Sequence, residues 1–393
     1  MRFPEFHGEW EKCKLGDIAT LTKGSGISKD QRSATGTPCI LYGELYTTYK
    51  SEVINYVVSK TDISDKNLVR SCANDIIIPS SGETAIDIST ARCVLSPDVL
   101  LGGDLNIIRL KDGDGRFFSY QLNGVRKHDI AKIAQGVSVV HLYGESIKGL
   151  TVSFPSNKEQ QKISTLLSLI DERIATQNKL IEKLESLIKG LNDSLYAQYG
   201  GKVLTSFAEL GTSYSGLSGK SAQDFGSGKP FITYLNVYSN NVINENEFQY
   251  VAIKDDEKQN VAEYGDVLFT LSSETPREVG IGSVYLGKEK VYLNSFCFGI
   301  HITNAEIAFP PYLSYYVSST PFRKFVYPYA QGSTRFNLCK ADFEKASIKL
   351  PTLENQKRIY SILSHIDNKI ITERQMLDLY NSQKQYLLRQ MFI

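Results

Sequence analysis

The chain is 393 residues long, is 41% hydrophobic and carries a formal net charge of +1. That length accommodates two to three domains with cores of their own, and the near-zero charge argues against the strongly basic footprint usual in a free-standing nucleic-acid binder. Cysteines 13, 39, 72, 93, 297 and 339 form no C-x-x-C pair and share no ligand spacing with the five histidines, so neither a zinc site nor a disulfide framework is expected.

The opening string MRFPEFHGEWEK has no apolar stretch of the kind that marks a secretory leader, and no eighteen apolar residues run together, so a cytoplasmic location is expected. From about residue 13 to 150, short branched runs such as DIIIP from Asp75 and LNIIRL from Leu105 are punctuated by Gly, Ser, Asn and Pro. This is the pattern of an α+β region with many short strands. Pro155 then precedes a segment whose seam positions step by four and three: Ile163, Leu167, Ile170, Ile174, the polar Gln177, and on through Ile181 to Leu195. Such a heptad seam predicts one long helix, ended by Tyr199-Gly200-Gly201. A second α+β region, about 205 to 347, contains DVLFTL from Asp266 and SVYLG from Ser283. Pro351 opens a second heptad segment with Ile359, Leu363, Ile366, Ile370 and the polar Glu373 on its seam. The 23 Tyr and 18 Phe exceed what one core requires, and several, including Tyr42, Tyr46, Tyr214, Tyr234, Tyr238 and Tyr329, fall in polar loops.

The two heptad segments are copies of each other. PSNKEQQKISTLLSLIDERI from Pro155 and PTLENQKRIYSILSHIDNKI from Pro351 agree at 8 of 20 positions, and their offset of 196 holds without a gap from Gln135 and Gln331 onward. Upstream the echo is weaker and the offset drifts between 191 and 195: GTPCILYGELY answers GKPFITYLNVY, NDIIIPSSGET answers GDVLFTLSSET, and FFSYQL answers YLSYYV. A helix of roughly forty residues is about 60 Å long, more than one small domain covers. The two are therefore expected to pack on each other as an antiparallel coiled coil with an internal pseudo-twofold repeat, Gln177 and Glu373 acting as polar register positions.

Three near-motifs fail on chemistry. FPPY at Phe309 to Tyr312 lacks the hydrogen-bond acceptor that an amino-methyltransferase places first. GLSGKS at Gly216 to Ser221 has Tyr214 where a phosphate loop needs its first glycine. Pro97-Asp98 has no acidic-x-Lys follower to complete a nuclease metal site. None of His7, His128, His141, His301 and His365 sits in a recognisable catalytic string, so no catalytic residue and no metal are expected.

The order variable, heptad, variable, heptad, together with KLGDIATLTKG from Lys14 and the paired blocks running from Gln135 and Gln331 into P-x-x-x-x-Q-x-x-I, resembles the DNA specificity subunit (HsdS) of type I restriction-modification systems over essentially the whole chain. The resemblance implies target recognition domains at 1–154 and 200–350 and conserved spacer helices at 155–199 and 351–393. Each recognition domain would read one half of an asymmetric bipartite site in double-stranded DNA. The helices would form the spacer and dock two modification subunits, which carry S-adenosylmethionine and methylate adenine. Restriction subunits using ATP and Mg would complete the enzyme, with no cofactor in this chain itself. The rival from another class is a two-headed coiled-coil adaptor binding proteins or glycans.

Under that resemblance, base contacts are expected from polar residues in equivalent loops of the two halves. In the first half these are Lys23, Ser25 and Lys29; Tyr42, Glu44 and Tyr46; Ser80, Ser81, Glu83 and Thr84; and Gln135, Ser138 and His141. In the second they are Tyr214 and Lys220; Tyr234, Asn236 and Tyr238; Ser272, Ser273, Glu274 and Arg277; and Gln331, Ser333, Thr334 and Arg335. Arg suits guanine, Asn or Gln suits adenine, and Glu can accept from cytosine. The mismatches Glu44 against Asn236 and Val139 against Arg335 suggest that the halves read different sequences.

Overall fold

A computed structural model describes residues 2–63 and 67–392. The chain divides into two compact units, one of Met1–Lys179 with Arg374–Ile393, the other of Leu180–Glu373. Each unit holds one variable region, the opening of one long helix and the close of the other. The chain is thus α+β, with one α+β domain in each unit.

In the first unit a five-stranded sheet runs in the order Ala19–Lys23, Leu105–Leu110, Asp75–Pro79, Arg92–Val94, Val53–Ile54. Ile107 stands opposite Ile77, and Ile108 opposite Ile76. Every residue of DIIIP is buried because the sheet is covered on both faces. Ile76, Ile78 and Ile108 pack with Phe117, Phe118, Ile163 and Leu167 on one side, while Ile77, Leu105 and Ile107 pack with Ile40, Leu45 and Leu101 on the other. A strand covered twice reads as a continuous apolar run rather than an alternation.

The second unit repeats the plan. Its sheet runs Gly211–Ser215, Cys297–Ile302, Val267–Thr270, Gly282–Val284, and a single parallel bridge from Val242 to Val284 stands where the first unit pairs Val53–Ile54 with Arg92–Val94. Val267 and Phe269 face one core and Leu268 the other. Much of the aromatic excess is used here: Phe269 lies 5.2 Å from Phe207, 5.5 Å from Phe298 and 5.1 Å from Phe343 between ring centres. Tyr329 joins this cluster against Phe325 and Phe343. The expectation that these rings belong to polar loops is corrected to that extent.

Each domain closes with a two-stranded ribbon, Glu11–Lys14 on Thr151–Phe154 and Val203–Thr205 on Ile348–Leu350, and then passes into its helix. The helices span Asn157–Tyr199 and Leu353–Gln390. Two polar residues shared by the copies bolt each helix to its domain. Gln160 accepts the Asp114 N–H at 3.0 Å and Gln356 accepts the Phe309 N–H at 2.8 Å. Tyr120 donates its hydroxyl to Asp171 at 2.7 Å, as Tyr315 does to Asp367.

In the first unit Leu387, Leu388, Met391 and Phe392 share a core with Ile163, Leu167 and Ile170, so the end of the second helix lies on the start of the first. In the second unit Leu195 shares a core with Ile359 and Leu363, and the Arg358 guanidinium lies 5.2 Å from the Tyr199 ring centre. Within both units the helix segments therefore run in opposite directions. Of the seam positions, Ile163, Leu167, Ile170, Gln177, Ile359, Leu363, Ile370 and Glu373 are buried, while Ile174 and Ile366 are half-buried. Glu373 pairs with Lys369, one turn away.

Candidate DNA interface

Both domains carry the same tight loop between two small helices, Lys127–Ile133 and Gly144–Lys148 in the first and Thr320–Val326 and Lys340–Lys345 in the second. In the first, Gln135 and His141 exchange backbone hydrogen bonds of 2.9 and 2.7 Å, and Val140–His141 pairs with Ser81–Gly82. In the second, Phe336–Leu338 pairs with Ala330–Gln331 on one side and Ser272–Ser273 on the other. The turn requires glycine in both: Gly136 has φ +122° and Gly332 φ +141°, and a Cβ on either would stand 2.1 Å from the carbonyl oxygen three residues on, of Val139 or Arg335. The same backbone thus presents Val137, Ser138 and Val139 in one domain and Ser333, Thr334 and Arg335 in the other, all exposed.

Around the second loop the structure gathers several expected residues. Arg335 reaches the Ser272 hydroxyl at 3.4 Å and sits 5.8 Å from the exposed Phe296 ring. Tyr234 donates to the Ser272 carbonyl at 2.8 Å and stacks on Tyr238 at 6.0 Å. Tyr238 donates to Glu278 at 2.9 Å, and that bond, aided by Thr275 and Ser273, holds the Glu278 carboxyl below its ordinary value. Glu274 and Arg277 are exposed beside them, at the tip that follows Ser273.

In the first domain Tyr42, Tyr46, Glu83 and Asp87 are neighbours; burial first, and then the other three groups, push the Tyr46 hydroxyl up. Thr84 caps the short helix Ala85–Ile88, accepting the Asp87 N–H at 3.1 Å. Gln135, Ser138 and His141 are exposed on the loop, with His141 stacked on Tyr143 at 6.3 Å; Ser81 is half-buried, and Lys23 and Lys29 are exposed.

Seven expected contacts are corrected, because their polar groups are taken up by the protein's own bonds. Buried Glu44 accepts the Leu41 N–H at 2.8 Å and the Ser59 hydroxyl. Asn236, fully buried, donates to the Asn244 carbonyl at 2.8 Å and accepts the Asn244 N–H at 3.0 Å. Ser25 accepts the Val69 N–H at 2.7 Å, and Ser80 is buried, its backbone bonded to Asp104 and Leu142. Tyr214 lies within a strand; its ring stacks 4.2 Å from His301 and its hydroxyl donates to Asp266 at 2.6 Å. Lys220 donates to the Ala252 carbonyl at 2.6 Å and to Glu257 at 2.5 Å, a bond that holds the Glu257 carboxyl down at about 2. Ser272, also buried, serves the cluster by holding Arg335 and Tyr234 rather than by facing outward.

Exposed apolar residues beside the loops escaped the sequence reading: Val137 is 96% exposed, Leu235 68% and Phe296 55%. Val137 and Phe296 are apolar residues inside turns, and Leu235 stands on the short helix Tyr234–Ser239. FPPY has a structural explanation, since Phe309 begins the helix Pro310–Tyr316 and Tyr312 is completely buried. Among the described residues, no group of three His, Cys, Asp or Glu is placed to hold a metal ion, and no helix is long and apolar enough to cross a membrane.

Residues 7–186 and 212–379 match the family model described as type I restriction modification DNA specificity domain. The chain belongs to this family. Its members are specificity subunits, the non-catalytic DNA-recognition subunits of type I systems, and the adaptor reading is not favoured. The putative type I restriction enzyme MjaX specificity subunit of Methanocaldococcus jannaschii is 26% identical over 94% of this chain and 89% of its own length. The MjaVIII specificity subunit from the same organism is 25% identical over 50% of this chain and 45% of its own. Among solved structures, the S subunit of a type I restriction-modification system from M. genitalium superposes with a TM-score of 0.60 at 16% identity, covering 100% of this chain and 99% of that one. A chain from a study of the assembly and conformational transition of a type I system gives the same score at 15% identity and 98% coverage of both. These two likenesses concern the fold.

Proposed function

We propose that each domain of this specificity subunit reads one half of a split, asymmetric DNA site, and that the long helices set the unread gap between the halves. The observation that carries this reading is the duplicated loop: Gly136 and Gly332 impose one backbone, on which Val139 and Arg335 occupy equivalent positions with opposite chemistry. An exposed valine suits a thymine methyl group, and an arginine suits guanine O6 and N7. Gln135, Ser138, His141, Lys23, Lys29, Tyr42, Tyr46, Ser81, Glu83 and Thr84 remain the contact set of the first domain. Tyr234, Tyr238, Ser273, Glu274, Arg277, Gln331, Ser333, Thr334 and Arg335 remain that of the second.

The boundaries 1–154, 155–199, 200–350 and 351–393 are proposed as recognition domain, spacer, recognition domain and spacer, with Gln177 and Glu373 fixing the register of the helices. Two modification subunits dock on the helices in this reading and bring S-adenosylmethionine, while restriction subunits bring ATP and Mg. Their phosphate contacts would compensate for a net charge of +1, since base-edge contacts alone give direction but little affinity. A rigid link between two modest readings supplies the rest by effective concentration.

The test is to exchange residues 13 to 134 for the corresponding segment of another family member in the assembled methyltransferase. One half of the methylated motif should change and the other should persist; a change in both halves would refute modular reading. Inserting seven residues into one heptad seam should lengthen the gap or abolish methylation, and an unchanged gap would refute the spacer role.

A further inference from the structure

The first unit contains a buried ionic cluster without a counterpart among the aligned residues of the second. Lys384, near the end of the second long helix, lies 2.5 Å from Glu52 of the first domain and 2.6 Å from Asp171 of the first long helix. All three are 8% exposed. Asp171 also accepts the hydroxyls of Tyr120 at 2.7 Å and Ser51 at 2.8 Å. Arg92 is near enough to feel both carboxylates, but its terminal nitrogens donate to the carbonyls of Ala91 and Tyr49. The lysine is therefore the cation directly bonded to both acids.

Applying the offset of 196, the residue of the first helix equivalent to Lys384 is Ile188, which packs against the apolar core of the second unit. The equivalent of Asp171 is Asp367, bonded to Tyr315. The equivalent of Glu52 is Asn241: its carbonyl accepts the Val284 N–H at 2.9 Å, as the Glu52 carbonyl accepts the Cys93 N–H at 2.8 Å. One socket thus holds two acids and a lysine, the other a single acid and an isoleucine.

A duplicated chain faces a pairing problem that this difference solves. Two copies of one helix-and-domain half carry nearly the same seam, so the N-terminal half has the means to close on a second N-terminal half. We propose that the Glu52–Asp171 socket is a pairing key that admits a helix bearing an amine at the position of Lys384 and refuses the first helix. The partner it fits is the C-terminal half of this chain, in the same molecule or from a second copy. Self-pairing of N-terminal halves would set Ile188 against two buried carboxylates, and a buried charge stripped of its partner is strongly destabilising. Because that defect would occur in both sockets of such a dimer, the self-pair is disfavoured by about a hundredfold or more. The key works in one direction, since Lys384 opposite Asp367 would be tolerated. The inference stands on the cluster and the repeat, and is independent of DNA recognition.

The experiment uses the full chain with a protease site inserted between Gly200 and Gly201, cut only after folding. Isotope-labelled and unlabelled N-terminal fragments are mixed until native mass spectrometry shows label exchanged into the N–C pair, and N–N pairs are then counted. The wild-type protein should show N–N pairs at or below about one in a hundred, the hundredfold bias above. Two variants, Ile188→Lys and the double change Glu52→Gln with Asp171→Asn, remove the mismatch from opposite sides, and at least one should raise the N–N share tenfold or more. The proposal is overturned if wild type already forms N–N pairs at the statistical share, or if neither variant raises them.

Discussion

Gln356 repeats the bonds of Gln160. Each donates its amide to the carbonyl of the proline five residues before it, at 2.8 Å for Pro155 and 2.9 Å for Pro351, and each accepts a backbone N–H from the start of a domain helix, that of Asp114 or Phe309. Both are buried, so neither bond exchanges with water. Replacing either glutamine with leucine leaves a buried carbonyl and a buried N–H without partners, at a cost of about 1–3 kcal/mol. Each substitution should raise hydrogen exchange at the helix start of its own unit and leave the other unit unchanged; an equal effect on both units would contradict this.

Tyr214 and Arg335 separate structure from reading. Tyr214→Phe removes a buried hydroxyl that donates to Asp266, and should lower stability by about 1–2 kcal/mol while leaving the methylated motif unchanged. Arg335→Ala removes an exposed side chain and should alter stability by no more than about 0.5 kcal/mol. It should nonetheless weaken methylation at sites carrying the native second half by tenfold or more, the usual weight of a bidentate base contact. Paired thermal melts and methylation assays check both.

Gly136 and Gly332 make matched predictions. An alanine at either position meets a carbonyl oxygen 2.1 Å away in a left-handed conformation, so the loop must rearrange at a cost of about 1–3 kcal/mol. Gly136→Ala should relax discrimination at the first half-site alone and Gly332→Ala at the second alone, measured as methylation across a library of degenerate sites. Loss at both halves from one substitution would contradict the division of labour.

The Lys220–Glu257 tie has a defined acid limit. Its lysine bond, aided by Gln259, holds the Glu257 carboxyl at about 2 against an ordinary 4.5. A carboxyl depressed on folding contributes stability above its unfolded value and loses it as pH falls toward the folded one. The loop around Lys220 should therefore keep its protection from hydrogen exchange at neutral pH and lose it between about pH 4.5 and 2. In Glu257→Gln that transition should vanish.

Much of this architecture was legible because it rests on short-range periodicity. Ile163, Leu167 and Ile170 step at 3.5 residues, and DIIIP is an unbroken apolar run, so helix and buried strand follow without tertiary information. The roles of Gln160 and Asp171 were not legible, although both recur in the second copy, because their partners Asp114 and Tyr120 lie 46 and 51 residues away. Glu44 and Asn236 failed for a related reason: each sits in a short helix, Glu44–Thr47 or Tyr234–Ser239, whose sequence suits a surface, yet its polar side chain turns inward to bond neighbouring backbone. Tyr214 was placed beside the glycine-rich GLSGKS, but it belongs to the strand before that loop, where Gly299 leaves room for its ring. The loop from Gln135 was legible as a duplicate, and its geometry came from Gly136, whose positive φ no alignment of the two halves displays.

The most direct measurement is single-molecule methylome sequencing of cells expressing the cognate modification subunits with and without this chain. Adenine methylation is expected at one split, asymmetric motif, and only when the chain is present. Methylation at a contiguous or palindromic motif, or the same motif in its absence, would contradict it.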